Sequence, residues 1–252
     1  VITPEFVLSQ REFDVLWQSL GLGRTPYPLD VPTEGATESE RKALVQNTLA
    51  GLRERGLLHD ERLEGLLALL GDHEVSVDAV AGLGRTVRAL AVAAGERAAL
   101  AIIDDDQVGL VTIRATALAR EIVAVLPPGT PGPGNALSVR LRALEDAVKL
   151  RDDEDEDSES PWQEPKAELD EKEALRRSGM STQDALAVSE LAANRTAGGQ
   201  FGVTVRQQRS EVLINWFDTP QGRYLMVNSG GWLSLSPTDN DRIAVRIGAA
   251  LT

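Results

Sequence analysis

Hydrophobic positions in this chain recur with a period of 3.6 residues in some stretches and 2 in others, and these periods mark helices and strands. Residues 4–8 read as a short strand. Ser9 and Glu12 then form a capping box, which satisfies two orphan amides at a helix start. The helix carries Phe13, Leu16, Trp17 and Leu20 on one face and stops at Gly21 and Gly23. Pro26, Tyr27, Pro28 and Pro32 call for extended chain, because proline fixes φ and lacks a donor. A second capping box, Thr37 with Glu40, opens a helix bearing Leu44, Thr48, Leu49 and Leu52, ended by Gly56. Asp60 caps a third, with Leu63, Leu66, Leu67 and Leu70 inward. Strands are expected near 74–80, 86–93, 98–103 and 107–113, then a helix at 116–126 closed by Pro127 and Pro128.

The pattern then repeats. With a shift of 125, residues 89–126 lie on 214–251 without a gap. Leu100, Ile102, Val108, Leu110, Leu118, Ala119, Ile122 and Leu126 fall on Leu225, Val227, Leu233, Leu235, Ile243, Ala244, Ile247 and Leu251. Identity is low, but the periodicity agrees. A three-residue loop Asp104–Asp105–Asp106 would place Ile102 opposite Val108 and Leu100 opposite Leu110, all on one face. The matching loop in the second copy is Ser229–Gly230–Gly231.

Between the copies, Pro131 and Pro133 mark a break, residues 136–150 read as a helix, and 152–160 read as an acidic loop. A helix near 165–178 and another opened by Ser181 and Asp184 lead into strands near 200–208, 211–217, 222–228 and 231–235. Ser236 with Pro237 at the first helical position would start the last helix. The expected fold class is α+β: a largely antiparallel central sheet with flanking helical bundles and a pseudo-twofold internal duplication. It forms one domain over 1–252, with an N-terminal half 1–128, a linker 129–164 and a C-terminal half 165–252.

Composition narrows the chemistry. The 252 residues contain no cysteine and two histidines, His59 and His73, which are not at zinc spacing. The net charge is −13, yet residues 152–173 hold twelve acidic residues against two lysines, a net of −10. The remainder is nearly neutral and carries no basic stripe, which argues against nucleic acid as a partner. No apolar run is long enough for a membrane span, and Val1 opens no signal peptide, so a cytoplasmic location is expected. Asp104–Asp106 read as a turn rather than a metal site. Gly82-x-Gly84 lacks the third glycine of a dinucleotide loop, and no serine sits in a nucleophile elbow. No catalytic residue, cofactor or metal is assigned.

Two stretches carry a resemblance. Residues 12–23, Glu-Phe-Asp-Val-Leu-Trp-Gln-Ser-Leu-Gly-Leu-Gly, followed by Pro26-Tyr-Pro-Leu29, resemble the opening of the EspG family. Gly222-Arg-Tyr-Leu-Met-Val through Gly231-Trp232 to Pro237 resembles that family's C-terminal hairpin and helix. The resemblance implies a cytosolic chaperone of type VII (ESX) secretion. Such a chaperone binds the helical tip of the PPE protein in a PE–PPE heterodimer, using the central sheet and the C-terminal helical region. It keeps the dimer soluble and is not itself exported. The alternative from another class is an enzyme with a carboxylate-lined pocket between the halves; self-assembly of the free form is compatible with either.

Partner-binding candidates follow from the assumed register. Tyr224, Met226 and Trp232 would share the hairpin face opposite the core, where aromatics and methionine suit protein recognition. The competing reading packs them beneath a helix. On the strand near 200–208, Phe201, Val203 and Val205 would point inward, while Thr204, Arg206 and Gln208 would face out. Arg206 and Gln208 would then offer donors to helix-end carbonyls of a partner, against the plainer reading of a solvated row.

Overall fold

The computed structural model describes residues 2–140 and 181–252. The expected helix near 165–178 and the acidic loop at 152–160 lie outside the described residues. Two compact units are present. One comprises Val1–Pro128, Gly199–Ser210 and Asn240–Thr252; the other comprises Gly129–Gly198 and Glu211–Asp239.

The first unit opens with strand β1 (Phe6–Ser9) and helix α1 (Gln10–Ser19). Ser9 and Glu12 form the capping box read from the sequence. Thr37 and Glu40 form the second, at helix α2 (Glu38–Glu54), and Asp60 caps helix α3 (Glu61–Gly71). Four strands follow: β2 (Val75–Gly82), β3 (Thr86–Ala94), β4 (Arg97–Asp104) and β5 (Gln107–Arg114). A 3₁₀ turn at Ala115–Ala117 leads into helix α4 (Leu118–Val123), shorter than the sequence implied. This unit also holds most of strand β7 (Ala197–Val205), strand β8 (Gln208–Arg209) and the last helix, α6 (Asn240–Ala250). Its strand order is β1-β5-β4-β3-β2-β7, with β8 paired to β7.

Both faces of this sheet are covered. On one, Leu90, Val92, Ala99, Ala101, Ile103, Val108 and Leu110 join Phe13, Leu16 and Trp17 of α1 and the leucines of α3. On the other, Ala89, Ala91 and Leu100 are fully buried, with α4 packed across β2 to β5 and α6 beside α4. The hairpin register therefore departs from expectation. Asp104 pairs with Gln107, so the turn is only Asp105–Asp106. Ile103 faces Val108 and Ala101 faces Leu110. Because both faces are largely buried near the turn, alternation does not distinguish the two registers.

The second unit contains strand β6 (Leu137–Arg140), helix α5 (Thr182–Ala193) and strands β9 (Leu213–Thr219), β10 (Gly222–Ser229) and β11 (Trp232–Pro237). Its order is β9-β10-β11-β6, antiparallel throughout. Residues 137–140 are thus a strand, where a helix over 136–150 was expected; residues 141–150 are outside the described set. Leu137 buries beside Leu235, which satisfies its apolar character as well as a helix would. Pro237 ends β11 instead of starting a helix. It lies past Leu235, the last residue paired with β6, where a missing donor costs the ladder nothing. Gly230 and Gly231, at φ 58° and 78°, form the β10–β11 turn, so Ser229 faces Trp232. Gly129 abuts Arg223, which is buried, stacks on Trp216 at 4.7 Å and donates from Nε and Nη2 to Asp218.

Asp78 of β2 has only 4% of its side chain exposed and accepts two hydrogen bonds from Arg209, at 2.7 and 3.1 Å. Arg209 reaches it by crossing Gly202, where a Cβ would lie 1.9 Å from Nη2. Gly202→Ala should therefore push Arg209 off Asp78 and leave a buried carboxylate short of donors. The expected loss is about 1–3 kcal/mol in urea unfolding. Adding Asp78→Asn should recover part of it; strictly additive effects would show that the ion pair is not the cause.

Glu12 gives the stability a pH dependence. Burial pushes its carboxyl up, but the Ser9 amide and Arg55 outweigh burial and hold it below its ordinary value. A carboxyl lowered by folding contributes stability above its unfolded value, about pH 4.3 for glutamate, and loses it as pH falls through the folded value. The stability difference between wild type and Glu12→Gln should be present at pH 7 and shrink below about pH 4. A pH-independent difference in chemical denaturation would contradict this assignment.

Candidate functional site

Three of the sequence-derived candidates lie in the second unit, and the register separates them. Tyr224 and Met226 share a face with Phe217 and Leu235, whereas Trp232 stands on the opposite face. Tyr224 is 3% exposed, stacks on Phe217 with centroids 5.5 Å apart, and donates to the Pro133 carbonyl at 2.9 Å. Burial pushes its phenol up. Val188 and Leu191 of α5 cover this cluster, and Met226 is half-buried in it. Gly132 lets the chain pass over the ring, since a Cβ there would sit 2.3 Å from it. Tyr224 and Met226 are therefore core residues under a helix, the competing reading of that face. Trp232 is 46% exposed, and the Arg140 guanidinium lies 5.2 Å from its ring centre. It keeps an aromatic surface for contact.

Arg206 and Gln208 also change place. Strand β7 ends at Val205, and Val205 pairs with Gln208 across a two-residue turn. Arg206 and Gln207 occupy that turn at φ 49° and 65°. They do not alternate along a strand face; they project from a hairpin tip. Such turns normally announce themselves by glycine or asparagine, and here neither residue is present. The tip is anchored by the Arg206 amide, which donates to the Glu74 carbonyl at 2.7 Å, and by the Ser210 amide, which donates to Val203 at 2.8 Å. Arg209 holds it down through Asp78. Hydrogen bonding with Asp78 raises the Arg209 guanidinium further above its already high value, and Tyr27 adds to this through space. Beside the tip lies a groove of about 690 Å³, with Val75, Val203 and Val205 below Arg206 and Gln208.

Tyr27 was not singled out as a contact residue from the sequence. It is 55% exposed, on a loop fixed by Leu29, which is fully buried, and by Arg88, which donates to the carbonyls of Pro28 and Asp30 at 3.2 and 2.6 Å. The signal available was its flanking prolines, which stiffen the loop. Elsewhere Arg85 pairs with Asp104, and among the described residues no three His, Cys, Asp or Glu side chains gather as a metal site would require. A second cleft, of about 320 Å³, is lined by Pro133, Glu190, Leu191, Thr219 and Gln221 with Tyr224. Neither cavity brings two carboxylate side chains together.

Among the described residues no helix is long and apolar enough to cross a membrane. No curated protein sequence matches the chain. The fold is similar to that of the Mycobacterium tuberculosis type VII secretion system chaperone EspG5, solved in complex with the PE25-PPE41 dimer. The TM-score is 0.73 at 14% identity, covering 97% of this chain and 95% of that one. The sequence pattern of the EspG family matches residues 9–249, nearly the whole chain. Over that span the capped helices, the antiparallel strands and the final helix fall within one family pattern, and the chain belongs to the EspG family.

Proposed function

We propose that this protein is a cytosolic chaperone that binds the helical tip of the PPE protein in a PE–PPE heterodimer, keeps the dimer soluble and directs it to type VII secretion. The observation that carries this reading is the family match over residues 9–249, joined to a fold like that of a chaperone solved with such a dimer. The physical task is shielding. An apolar helical tip on a soluble dimer favours self-association, and a sheet-based platform that covers it lowers the concentration of the sticky end. Release at the secretion machinery favours an interface of ordinary size, about 1,600 Å² in total.

Tyr27, Trp232 and the Arg206–Gln208 tip are exposed, which suits contact with another protein. Tyr224 and Met226 serve the reading indirectly, by fixing α5 on its sheet.

Co-expression with candidate PE–PPE pairs should yield one pair that co-migrates with this protein on size exclusion, with a mass equal to one copy of each chain. Trp232→Ala and Tyr27→Ala should leave the melting temperature within about 2 °C and weaken capture, since surface truncations change stability little. Failure of every pair to co-migrate would contradict the reading.

A further inference from the structure

Among the described residues, strand β1 ends the first unit's strand order and pairs with β5 alone. A terminal strand turns the amide and carbonyl of every second residue away from the sheet, where another chain can pair with them. The Gln10 amide donates to the Asp106 carbonyl at 3.0 Å, so in this register Phe6 and Leu8 bond towards β5 while Val7 and Ser9 point outward. Those outward groups are occupied. Arg55 Nη2 donates to the Val7 carbonyl at 2.8 Å, and the Ser9 amide donates to Glu12 Oε2 at 2.8 Å. Arg55 Nη1 and Glu12 Oε1 are joined at 2.6 Å, so one ion pair presents a donor and an acceptor to the edge, as a neighbouring strand would. The Glu12 bond belongs to the α1 capping box, which needs only Ser9 and Glu12. Arg55 is additional, and its place is built. Helix α2 ends at it, and the turn beyond is fixed by Gly56, at φ 70°, with the Gly56 amide on Arg53 and the Leu57 amide on Leu52 at 3.0 and 2.9 Å. Leu52 is fully buried, so the end of α2 is held in the core while the guanidinium reaches out to the edge.

We infer that the Arg55–Glu12 pair is an autoinhibitory contact: it occupies the outer edge of β1 and keeps a second copy of this chain from pairing there. This goes beyond the chaperone reading and does not depend on it. The edge is complementary to itself. Val7 turns its donor and its acceptor the same way, so two antiparallel copies related by a twofold axis can exchange both bonds at Val7, as a symmetric dimer requires. The Val7 side chain is 40% exposed and would add an apolar contact from each copy. The strand carries none of the features that commonly spoil an edge, since Phe6, Val7, Leu8 and Ser9 include no proline and no charge. Protection comes instead from a side chain of α2. Arg55 is 48% exposed, and an ion pair open to water on one side adds little stability, so the effect of Arg55 lies in what it covers.

Sedimentation equilibrium of the full chain, with Arg55→Ala beside wild type, tests this. The variant should show a mass that rises with concentration towards that of two copies, over a range in which wild type stays lower. Adding Val7→Pro to Arg55→Ala should restore the wild-type profile, because proline deletes the outward amide and leaves the bonds of Phe6 and Leu8 to β5 in place. Hydrogen exchange gives a second reading: the Val7 amide should become protected in Arg55→Ala as concentration rises, and should exchange freely in the double variant. Arg55→Met keeps the hydrocarbon stem and drops the donors; it should associate as Arg55→Ala does, and it carries the test if the alanine variant does not fold. Equal mass profiles for wild type and the Arg55 variants would overturn the inference and leave Arg55 as a brace for the α1 capping box. A rise in mass that survives Val7→Pro would overturn it too, since the copies would then be meeting through another surface.

Discussion

Alanine in the middle of the first sheet is the constraint on which the rest depends. Ala89, Ala91, Ala98, Ala99 and Ala101 are all buried, on two adjacent strands. Small side chains leave room for helices to approach both faces, so α1 and α3 close on one side and α4 on the other. A strand pair dry on both sides has little freedom to twist or slip, because every shift would open a cavity. The sheet becomes a stiff platform whose variable chemistry is displaced to turns and loops at its margin.

The features read here as functional follow from that displacement. Tyr27 stands on a loop whose next two residues are tied down, Leu29 in the core and Pro28 through Arg88. The Arg206–Gln208 tip stands on β7, held to β2 through Asp78 and Arg209. In both cases an exposed side chain is carried by backbone that cannot relax. Preorganisation of this kind lowers the ordering cost of binding, which otherwise consumes much of an interface's energy. A chaperone that must recognise one class of dimer and then release it gains from rigid, small contact points more than from extensive area.

The helices of the first unit were legible because their signals are local. Ser9 with Glu12, Thr37 with Glu40, and Asp60 each announce a helix start within four residues, and all three caps form. Strands β2 to β5 were legible from their own apolar runs. Register was not, since burial on both faces erased the alternation that would have set it, and the turn proved to be Asp105–Asp106. The β10–β11 hairpin is shorter by the same single residue, with Gly230 and Gly231 as its turn, and this places Trp232 on the face opposite Tyr224 and Met226. The hairpin at Arg206 was hidden because its turn uses residues that turns normally avoid. Strand β6 was hidden because Leu137, half-buried beside Leu235, fits a helix pattern equally well. The family resemblance rested on residues 12–29 and 222–237, and these contain both structural anchors, Trp17 and Arg223, and the exposed Tyr27 and Trp232.

Shielding is the central claim, and static light scattering of a purified PE–PPE dimer titrated with this protein tests it most directly. Excess scattering by the dimer alone should fall to the level of a monodisperse complex at one equivalent and stay there on further addition. Scattering that persists past equivalence, or grows, would contradict the account.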